Sequence, residues 1–371
     1  MLKKVIFSIL FVLCLLLFSA FSLAVELSAK GAVLIEDESG DIVLSKNKDM
    51  RMPMASTTKI MTSIIVLENC DLNTVVKIEP HMTGVEGSSI YLHEGEELTV
   101  LELLYALMLE SANDAAVALA YTVCDSIEEF AQLMNEKAHG LGLCNTHFTN
   151  PHGLDDDEHY TTPYELGLIA SYAMKNPTFK KIVSTYKHVI PLNNGEGSRV
   201  LINHNKLIRS YDGAIGIKTG YTKRCGRCLV SCANIDGVQL ICVTLNAPND
   251  WSDHTSMLNY GFSKYERVNL ANSRDYTVCL DVINGSKSSF YATNLSPFSA
   301  TVKKGNTNIT AVLEADRLIS APINSGDVVG KIVFYDNNKK IGEISLYALE
   351  NVSEIKYNKP LLERFFGKWK K

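Results

Sequence analysis

The sequence contains no low-complexity tract and no excess of positive charge. Its 371 residues include 36 lysines and arginines against 41 aspartates and glutamates, a formal net charge of −5. Because no overall basic field is present to release counterions from a phosphate backbone, we expect no nucleic-acid partner. Hydrophobic residues make up 46% and charged residues 21%, which excludes a disordered or collagen-like chain. The chain is long enough for two globular domains with sizeable cores.

The cysteines lack the spacing of a structural zinc site. Nine are present, and Cys225 and Cys228 form a C-x-x-C motif, but no second such pair follows at zinc-ligand spacing. Most of the eight cysteines after Cys14 lie in apolar patterns, where a free thiol packs as a small hydrophobic side chain. Their redox state stays open. We expect no metal and no cofactor, and a metal or redox role for the C-x-x-C motif is the weaker alternative.

A second group of potential metal ligands surrounds the acidic residues 155–158. His152 and His159 flank these carboxylates, so the residue types of a metal site are present. However, Pro151 and Gly153 are turn formers, and turns lie at the surface. We therefore interpret the segment as a solvated acidic loop.

The first 24 residues differ from the rest of the chain. Lys3 and Lys4 precede an apolar run at residues 5–23, and Ser22-Leu23-Ala24 places small residues before a potential cleavage point. This pattern predicts a secretory signal peptide at residues 1–24. An uncleaved N-terminal anchor is the alternative, because a run of about 18 apolar residues can span a bilayer. Under either interpretation the remainder is exported.

Residues 25–266 are predicted to form an α+β domain in which helices cover an antiparallel sheet. Helix caps are expected at Thr99, Ser126 and Thr162, each followed by glutamate three residues later. Asp236-Gly237 is typical of a tight hairpin turn. The other expected elements are a hairpin at 31–45, a helix at 56–68, strands at 215–219, 228–233 and 238–245, and a helix at 255–264.

The last hundred residues show two further patterns. Short strand-like segments at residues 267–355 predict a small all-β domain without catalytic residue types. Residues 356–371 form a tail in which, from Pro360 onward, aromatic and leucine side chains share one helical face and basic side chains the other. Twelve helical residues span about 18 Å, too short to cross a hydrocarbon core of about 30 Å. We expect the tail to lie on a membrane surface; docking on the protein itself is the alternative.

Three short motifs carry the chemistry. They are S-T-T-K at residues 56–59, S-A-N at 111–113 and K-T-G at 218–220. Ser56 at a helix start shares a face with Lys59, so the amine can reach the hydroxyl. A serine needs a base to become a good nucleophile, and a lysine acts as one only when burial and a nearby cation lower its pKa. We expect Lys218 to be that cation, held on a strand across a cleft.

The remaining motif residues are suited to substrate contacts. Ser111 lies in a short turn between two helices, where it can carry a proton to the leaving group, and Asn113 can bind a substrate amide. Thr219 offers a hydroxyl to a carboxylate, and Gly220 permits close backbone approach. Separately, each motif also fits a helix cap or a solvated strand; together, in this order, they favour one active site.

The motif set resembles the D-alanyl-D-alanine carboxypeptidases, the low-molecular-mass penicillin-binding proteins that trim peptidoglycan. The likeness covers nearly the whole chain. The segments that carry it are residues 55–62, 110–116, 150–155, 216–222, 321–323 and 326–330, together with the amphipathic tail. The resemblance implies a β-lactamase/transpeptidase-like domain, followed by a small β domain and an anchor at the outer face of the cytoplasmic membrane.

The resemblance also implies residue roles. Ser56 attacks the bond between the last two D-alanines of a stem peptide, with Lys59 as base and Ser111 as proton carrier. The backbone N–H groups of Ser56 and Tyr221 form the oxyanion hole. β-Lactams acylate Ser56 and leave slowly. Some relatives carry an arginine in an Asn-x-Asn segment that helps to bind the substrate carboxylate; His204 occupies that place here and is a weaker, pH-dependent substitute.

Three other functions are alternatives for a sequence with these motifs. A serine β-lactamase usually adds a glutamate in an E-x-x-L-N loop, which the sequence lacks, and needs neither the β domain nor the tail. A non-catalytic protein that binds peptidoglycan or penicillin would not require intact Ser56, Lys59 and Lys218. A zinc carboxypeptidase would be inhibited by chelators and indifferent to penicillin. We expect a penicillin-sensitive serine carboxypeptidase.

Overall fold

The computed structural model describes residues 25–306 and 308–355. The predicted signal peptide at 1–24 and the predicted tail at 356–371 lie outside the described residues. The chain divides into two compact units, of which one ends at Ser263 and the other begins at Lys264. Within the described residues, no helix combines the length and apolar character needed to span a membrane.

The first unit contains nine strands and eight α-helices among its described residues. The strands are β1 (Gly31–Glu36), β2 (Ile42–Lys46), β3 (Val75–Lys77), β4 (Glu97–Thr99), β5 (Lys187–Leu192), β6 (Gly197–Ile202), β7 (Ala214–Thr222), β8 (Gly226–Ile235) and β9 (Val238–Leu245). The helices are α1 (Lys59–Asn69), α2 (Val100–Leu109), α3 (Asn113–Val123), α4 (Ile127–Gly140), α5 (Pro163–Met174), α6 (Pro177–Ser184), α7 (Leu207–Ser210) and α8 (Asp250–Lys264).

The main sheet has the strand order β2-β1-β9-β8-β7, and every pair in it is antiparallel. Helices cover both of its faces. Gly167 of α5 lies against Val33 and Ile35, whereas Gly261 of α8 lies against Leu34 on the opposite face. The predicted α+β architecture is therefore confirmed. β7, which carries the K-T-G motif, is one of the two edge strands of this sheet.

The predicted helix caps are confirmed. Thr99 and Glu102 cap each other reciprocally at the start of α2, while the hydroxyls of Ser126 and Thr162 accept the backbone N–H three residues ahead. The turn at Asp236 and Gly237 has φ values of 51° and 83°, as a tight hairpin requires. One helix start is wrong: α8 begins at Asp250 rather than residue 255, because Trp251 is the single apolar residue of its first turn and shows no helical repeat.

The second unit is all-β among its described residues. Its strands are β10 (Tyr265–Ala271), β11 (Thr277–Ile283), β12 (Ser289–Thr293), β13 (Phe298–Lys303), β14 (Ile309–Glu314), β15 (Ile319–Ser320), β16 (Val328–Asp336) and β17 (Lys339–Ala348). Six of them form a sheet in the order β14-β16-β17-β12-β11-β15, and β10 pairs with β13. Phe290, Phe334 and Leu346 belong to a separate hydrophobic core. The predicted small β domain is thus confirmed.

Candidate active site

Ser56 lies in a strained turn that opens helix α1. The turn is a 3₁₀ segment, Ala55–Thr58, in which Ala55 has a positive φ of 48°, unusual for a residue with a side chain. The hydroxyl of Thr57 donates to Met54 O at 2.6 Å, and that of Thr58 donates to Ala55 O at 2.8 Å. These two bonds within the turn help to hold Ser56 in place.

Two glycines allow other segments to approach this turn. Gly153 has φ 88°, and a Cβ at this position would overlap the carbonyl oxygen of Ala55. A Cβ on Gly220 would lie 3.1 Å from Ser56 N, so β7 also runs close to Ser56. Only a residue without a side chain fits at Gly153 without displacing the Ser56 turn.

The Lys59 amine is fully buried and has three polar neighbours. Its Nζ lies 3.0 Å from Ser56 Oγ, 2.7 Å from Asn113 Oδ1 and 2.6 Å from the His152 carbonyl oxygen. Burial and the positive charge of Lys218 hold the pKa of Lys59 well below its usual value, while Asp114 acts in the opposite direction. A neutral amine has two N–H donors and one lone pair. With the donors on the two carbonyl oxygens, the lone pair is left for the Ser56 hydroxyl proton.

Lys218 is the second buried amine of the site. It belongs to β7, and its Nζ donates to the carbonyl oxygen of Thr219 at 2.9 Å. Burial lowers the pKa of Lys218 to about 7, and the carboxylate of Glu110 opposes this shift. Near neutral pH, therefore, Lys218 provides a positive charge that varies with pH and disfavours protonation of Lys59.

Ser111 and Asn113 are placed by the junction of α2 and α3. Ser111 has φ 61°, and Asn113 is the first residue of α3. Besides accepting from Lys59, the Asn113 amide donates to Glu86 O at 2.5 Å, and its backbone N–H donates to Ser88 O at 2.7 Å. Asn113 thus connects the Lys59 amine to the segment that contains Ser88.

A cleft of about 350 Å³ opens above these residues. Six of the nine predicted site residues line it, and Lys59, Asn113 and Lys218 lie buried beside it. His204 lines the cleft with its Nε2 3.1 Å from Glu110 Oε2. The lining residues are Ser56, Ser88, Ser111, His204, Lys206, Thr219, Gly220, Tyr221, Arg227, Asp250 and Trp251. Two larger surface grooves, one in each compact unit, contain none of the three motifs.

Comparison with known families agrees with this geometry. The family model of peptidase S11, described as D-alanyl-D-alanine carboxypeptidase, matches residues 19–249. The chain belongs to this family. A second model, the C-terminal domain of penicillin-binding protein 5, matches residues 265–354. The S11 match contains all three motifs, and the second match falls in the all-β unit.

Individual relatives extend the family match to almost the full length. D-alanyl-D-alanine carboxypeptidase DacF of Bacillus subtilis is 34% identical over 353 residues, which cover 92% of this chain and 90% of the relative. Penicillin-binding protein 5 of Haemophilus influenzae superposes with a TM-score of 0.68 at 27% identity, covering 89% of this chain and 98% of that one. The Streptomyces K15 DD-transpeptidase superposes with a TM-score of 0.62 at 35% identity, covering 64% and 98%.

The segment at residues 150–159 contributes more than the sequence indicates. Its carboxylates at 155–158 are exposed, as expected for a solvated loop, but both histidines are largely or fully buried. His159 Nδ1 accepts from Thr149 N at 3.0 Å, so the proton lies on Nε2, which is 2.7 Å from the Thr58 hydroxyl. Burial lowers the pKa of His159 to about 4. This neutral histidine supports the Ser56 turn through Thr58.

The eight cysteines of the described residues are all free, and Cys225 and Cys228 are both buried. Burial raises the pKa of Cys225 to about 11, so its thiol stays protonated near neutral pH.

Across the part of the chain that the structure describes, no three histidine, cysteine or acidic side chains form a group that could hold a metal ion.

Proposed function

We propose that the protein is a serine D-alanyl-D-alanine carboxypeptidase that removes the terminal D-alanine from peptidoglycan stem peptides. One observation carries the proposal: the buried Lys59 amine lies 3.0 Å from Ser56 Oγ while two carbonyl oxygens occupy its other sides. This arrangement keeps a base beside a nucleophile. The family match and the names of the relatives agree with the reaction.

The first half-reaction forms an acyl-enzyme. Ser56 Oγ bonds to the carbonyl carbon of the penultimate D-alanine and transfers its proton to Lys59. The N–H groups of Ser56 and Tyr221 stabilise the oxyanion, which in such sites is worth about 3–4 kcal/mol per donor. The tetrahedral intermediate then collapses and the C–N bond breaks. Ser111 passes its hydroxyl proton to the departing amine of D-alanine and receives the proton held by Lys59 in exchange, so that Lys59 is neutral again.

The second half-reaction restores the enzyme. Lys59, again neutral, takes a proton from water, whose oxygen attacks the ester carbonyl. The ester C–O bond breaks, and Ser56 Oγ recovers a proton as the shortened peptide leaves. A β-lactam acylates Ser56 in the same way, but its ring-opened product has no separate leaving group to depart, so deacylation is slow.

Substrate contacts come from both sides of the cleft. Thr219, Gly220 and Tyr221 lie on the edge strand β7, where an extended peptide can align with the backbone. We assign a substrate-binding role to these residues and to Asn113, Lys218 and His204. For Asn113 the bond to Lys59 adds a second role, in orienting the base. A serine β-lactamase or a silent binding protein is not favoured by the relatives.

The proposal includes location and domain organisation. The mature protein acts on the outer face of the cytoplasmic membrane after loss of residues 1–24. Residues 25–266 form the peptidase domain, 267–355 the β-rich domain and 356–371 a peripheral membrane anchor. A chain that ends at residue 355 should leave the membrane fraction, whereas continued sedimentation with membranes would contradict the anchor.

Release of D-alanine tests the activity. The purified mature protein is incubated with diacetyl-L-Lys-D-Ala-D-Ala, and free D-alanine is measured for the parent, Ser56→Ala and Ser184→Ala. Ser184 is the matched control because it ends α6 and does not line the cleft. We expect release by the parent and Ser184→Ala only. Undiminished release by Ser56→Ala would refute the mechanism.

A further inference from the structure

Arg227 lines the active-site cleft although it belongs to none of the three motifs. Its Nη2 lies 3.0 Å from Asp250 Oδ1, and its guanidinium is 5.8 Å from the ring centroid of Trp251. The Asp250 side chain is 4% exposed and also accepts from Trp251 N at 2.9 Å, whereas the Arg227 side chain is 44% exposed. The first turn of α8 therefore holds the guanidinium from one side and leaves donors available on the other.

The register of the sheet places Arg227 beside the K-T-G segment. In the antiparallel ladder of β7 and β8, Arg227 is paired directly with Tyr221. Directly paired residues present their side chains on the same face, and Thr219 shares that face with Tyr221 because it is two residues away. All three residues line the cleft. The guanidinium and the Thr219 hydroxyl can therefore contact one substrate group.

The chemistry of that group follows from the charges in the cleft. A guanidinium keeps its charge at all physiological pH values and has five donors, so it can contact Asp250 and a second carboxylate together. The other cationic candidates are arranged differently. His204 faces the carboxylate of Glu110, and Lys218 is buried with its amine on Thr219 O. Lys206 is exposed at the cleft, and among the described residues no hydrogen bond or ion pair orients its amine.

We propose that Arg227, together with the Thr219 hydroxyl, binds the terminal carboxylate of the substrate, and that Asp250 and Trp251 position Arg227. This inference rests on the proposed carboxypeptidase function. It gives the carboxylate a permanent cation where the sequence alone points to His204. Binding through Arg227 would also keep carboxylate recognition independent of pH across the working range, since arginine does not lose its proton there.

Two peptides that differ only in the terminal group provide the test. Diacetyl-L-Lys-D-Ala-D-Ala is compared with the same peptide ending in D-alaninamide, and release of D-alanine or D-alaninamide is measured for the parent, Arg227→Gln, Arg227→Lys and Arg209→Gln. Arg209 is the matched control: it stacks on Tyr186 at 4.5 Å and does not line the cleft. Thermal melts confirm that each variant is folded.

We expect Arg227→Gln to lower kcat/KM for the acid peptide by about ten- to hundredfold, as for loss of a charged hydrogen bond, and to change the amide peptide by less than about threefold. Arg227→Lys should recover part of the loss, and Arg209→Gln should behave as the parent. Asp250→Asn should give a smaller loss, again confined to the acid peptide, because it acts through the orientation of Arg227.

Other outcomes overturn the inference. An equal loss on both peptides would show that Arg227 acts structurally, and no loss on either would place the carboxylate on another residue, with His204→Ala and Lys206→Ala tested next. The proposed function fails separately: in that case the parent releases no D-alanine from the acid peptide. A parent active on the acid peptide with unselective variants therefore refutes only the role of Arg227.

Discussion

The amines of Lys59 and Lys218 are both fully buried, and the positive charge of Lys218 lowers the pKa of Lys59. Placing two lysines side by side in a protein interior is unfavourable for folding, because each charge loses its hydration and the two repel. The proposed mechanism gives the arrangement a purpose: the same burial and repulsion lower the pKa of Lys59, which favours the neutral amine that the mechanism uses as a base.

The first prediction concerns how much the buried charge of Lys218 destabilises the folded protein. Burial lowers the folded pKa of Lys218 from 10.5 to about 7, so the folded state binds fewer protons than the unfolded state between these values. Stability contributed through Lys218 therefore rises with pH across this window and is lowest below about pH 7. We expect Lys218→Met to be inactive but more stable than the parent at pH 6, by about 2–4 kcal/mol. Urea unfolding at pH 6 and pH 10 measures the free energy of unfolding of the parent and of Lys218→Met. An equal stability difference between the two proteins at both pH values would contradict the lowered pKa of Lys218.

The second prediction concerns Asn113. Asn113→Ala removes a carbonyl that accepts from Lys59 and a donor to Glu86 O. The amine is then less well oriented toward Ser56, and we expect acylation by a fluorescent penicillin to slow by about tenfold or more. Asn294→Ala is the control, since Asn294 is a buried amide that bridges backbone groups in the second unit. Asn294→Ala should lower the stability of the protein and leave the acylation rate unchanged. Equal slowing of acylation in both variants would contradict a role of Asn113 in orienting the Lys59 amine.

The third prediction separates steric overlap from backbone strain. Gly153→Ala places a Cβ against Ala55 O at φ 88°, whereas Gly142→Ala introduces a Cβ at φ 78° with no atom within 4 Å. We expect Gly142→Ala to cost about 1 kcal/mol from strain alone, and Gly153→Ala to cost about 3 kcal/mol or more and to lose acylation. Chemical unfolding and penicillin labelling measure both quantities. Normal labelling in folded Gly153→Ala would show that the Ser56 turn tolerates displacement.

The fourth prediction concerns acid stability. Burial lowers the pKa of His152 to about 3, of His159 to about 4 and of His254 to about 3. On unfolding each takes up a proton between its folded value and about 6.5, so stability is lost as pH falls through this window. His254 contacts Ser231 Oγ at 2.5 Å and Thr244 Oγ1 at 3.0 Å. His254→Gln should lower the pH slope of the unfolding free energy by about one proton, or about 1.4 kcal/mol per pH unit near pH 5; an unchanged slope would contradict a neutral His254.

Local signals in the sequence predicted much of the fold. Thr99, Ser126 and Thr162 identified three helix starts, because a cap uses side chains that the sequence displays. Asp236-Gly237 identified the β8–β9 turn for the same reason. The β5–β6 hairpin was missed; Pro191 within β5 weakens a strand pattern.

The sequence predicts the contacts of the site that lie within one motif. It does not predict the contacts that use backbone atoms or that depend on the folded sheet. Ser56 and Lys59 are close in sequence, so their contact follows from helical spacing. The second acceptor of Lys59 is the backbone carbonyl of His152, and backbone acceptors have no sequence signature. Arg227 reaches the cleft through strand register and an ion pair with Asp250, both of which depend on the folded sheet.

The protonation of Lys59 in the resting enzyme is the most direct test of the central claim. Lysine side-chain NMR on protein labelled with ¹³C at the ε-carbon, assigned by comparison with Lys59→Arg, follows this amine as pH is raised. Because Lys59 is buried beside Lys218, we expect its signal to titrate well below 10.5 and to be that of a neutral amine at working pH. Titration of Lys59 at the ordinary value of an exposed lysine would contradict its role as the base that activates Ser56.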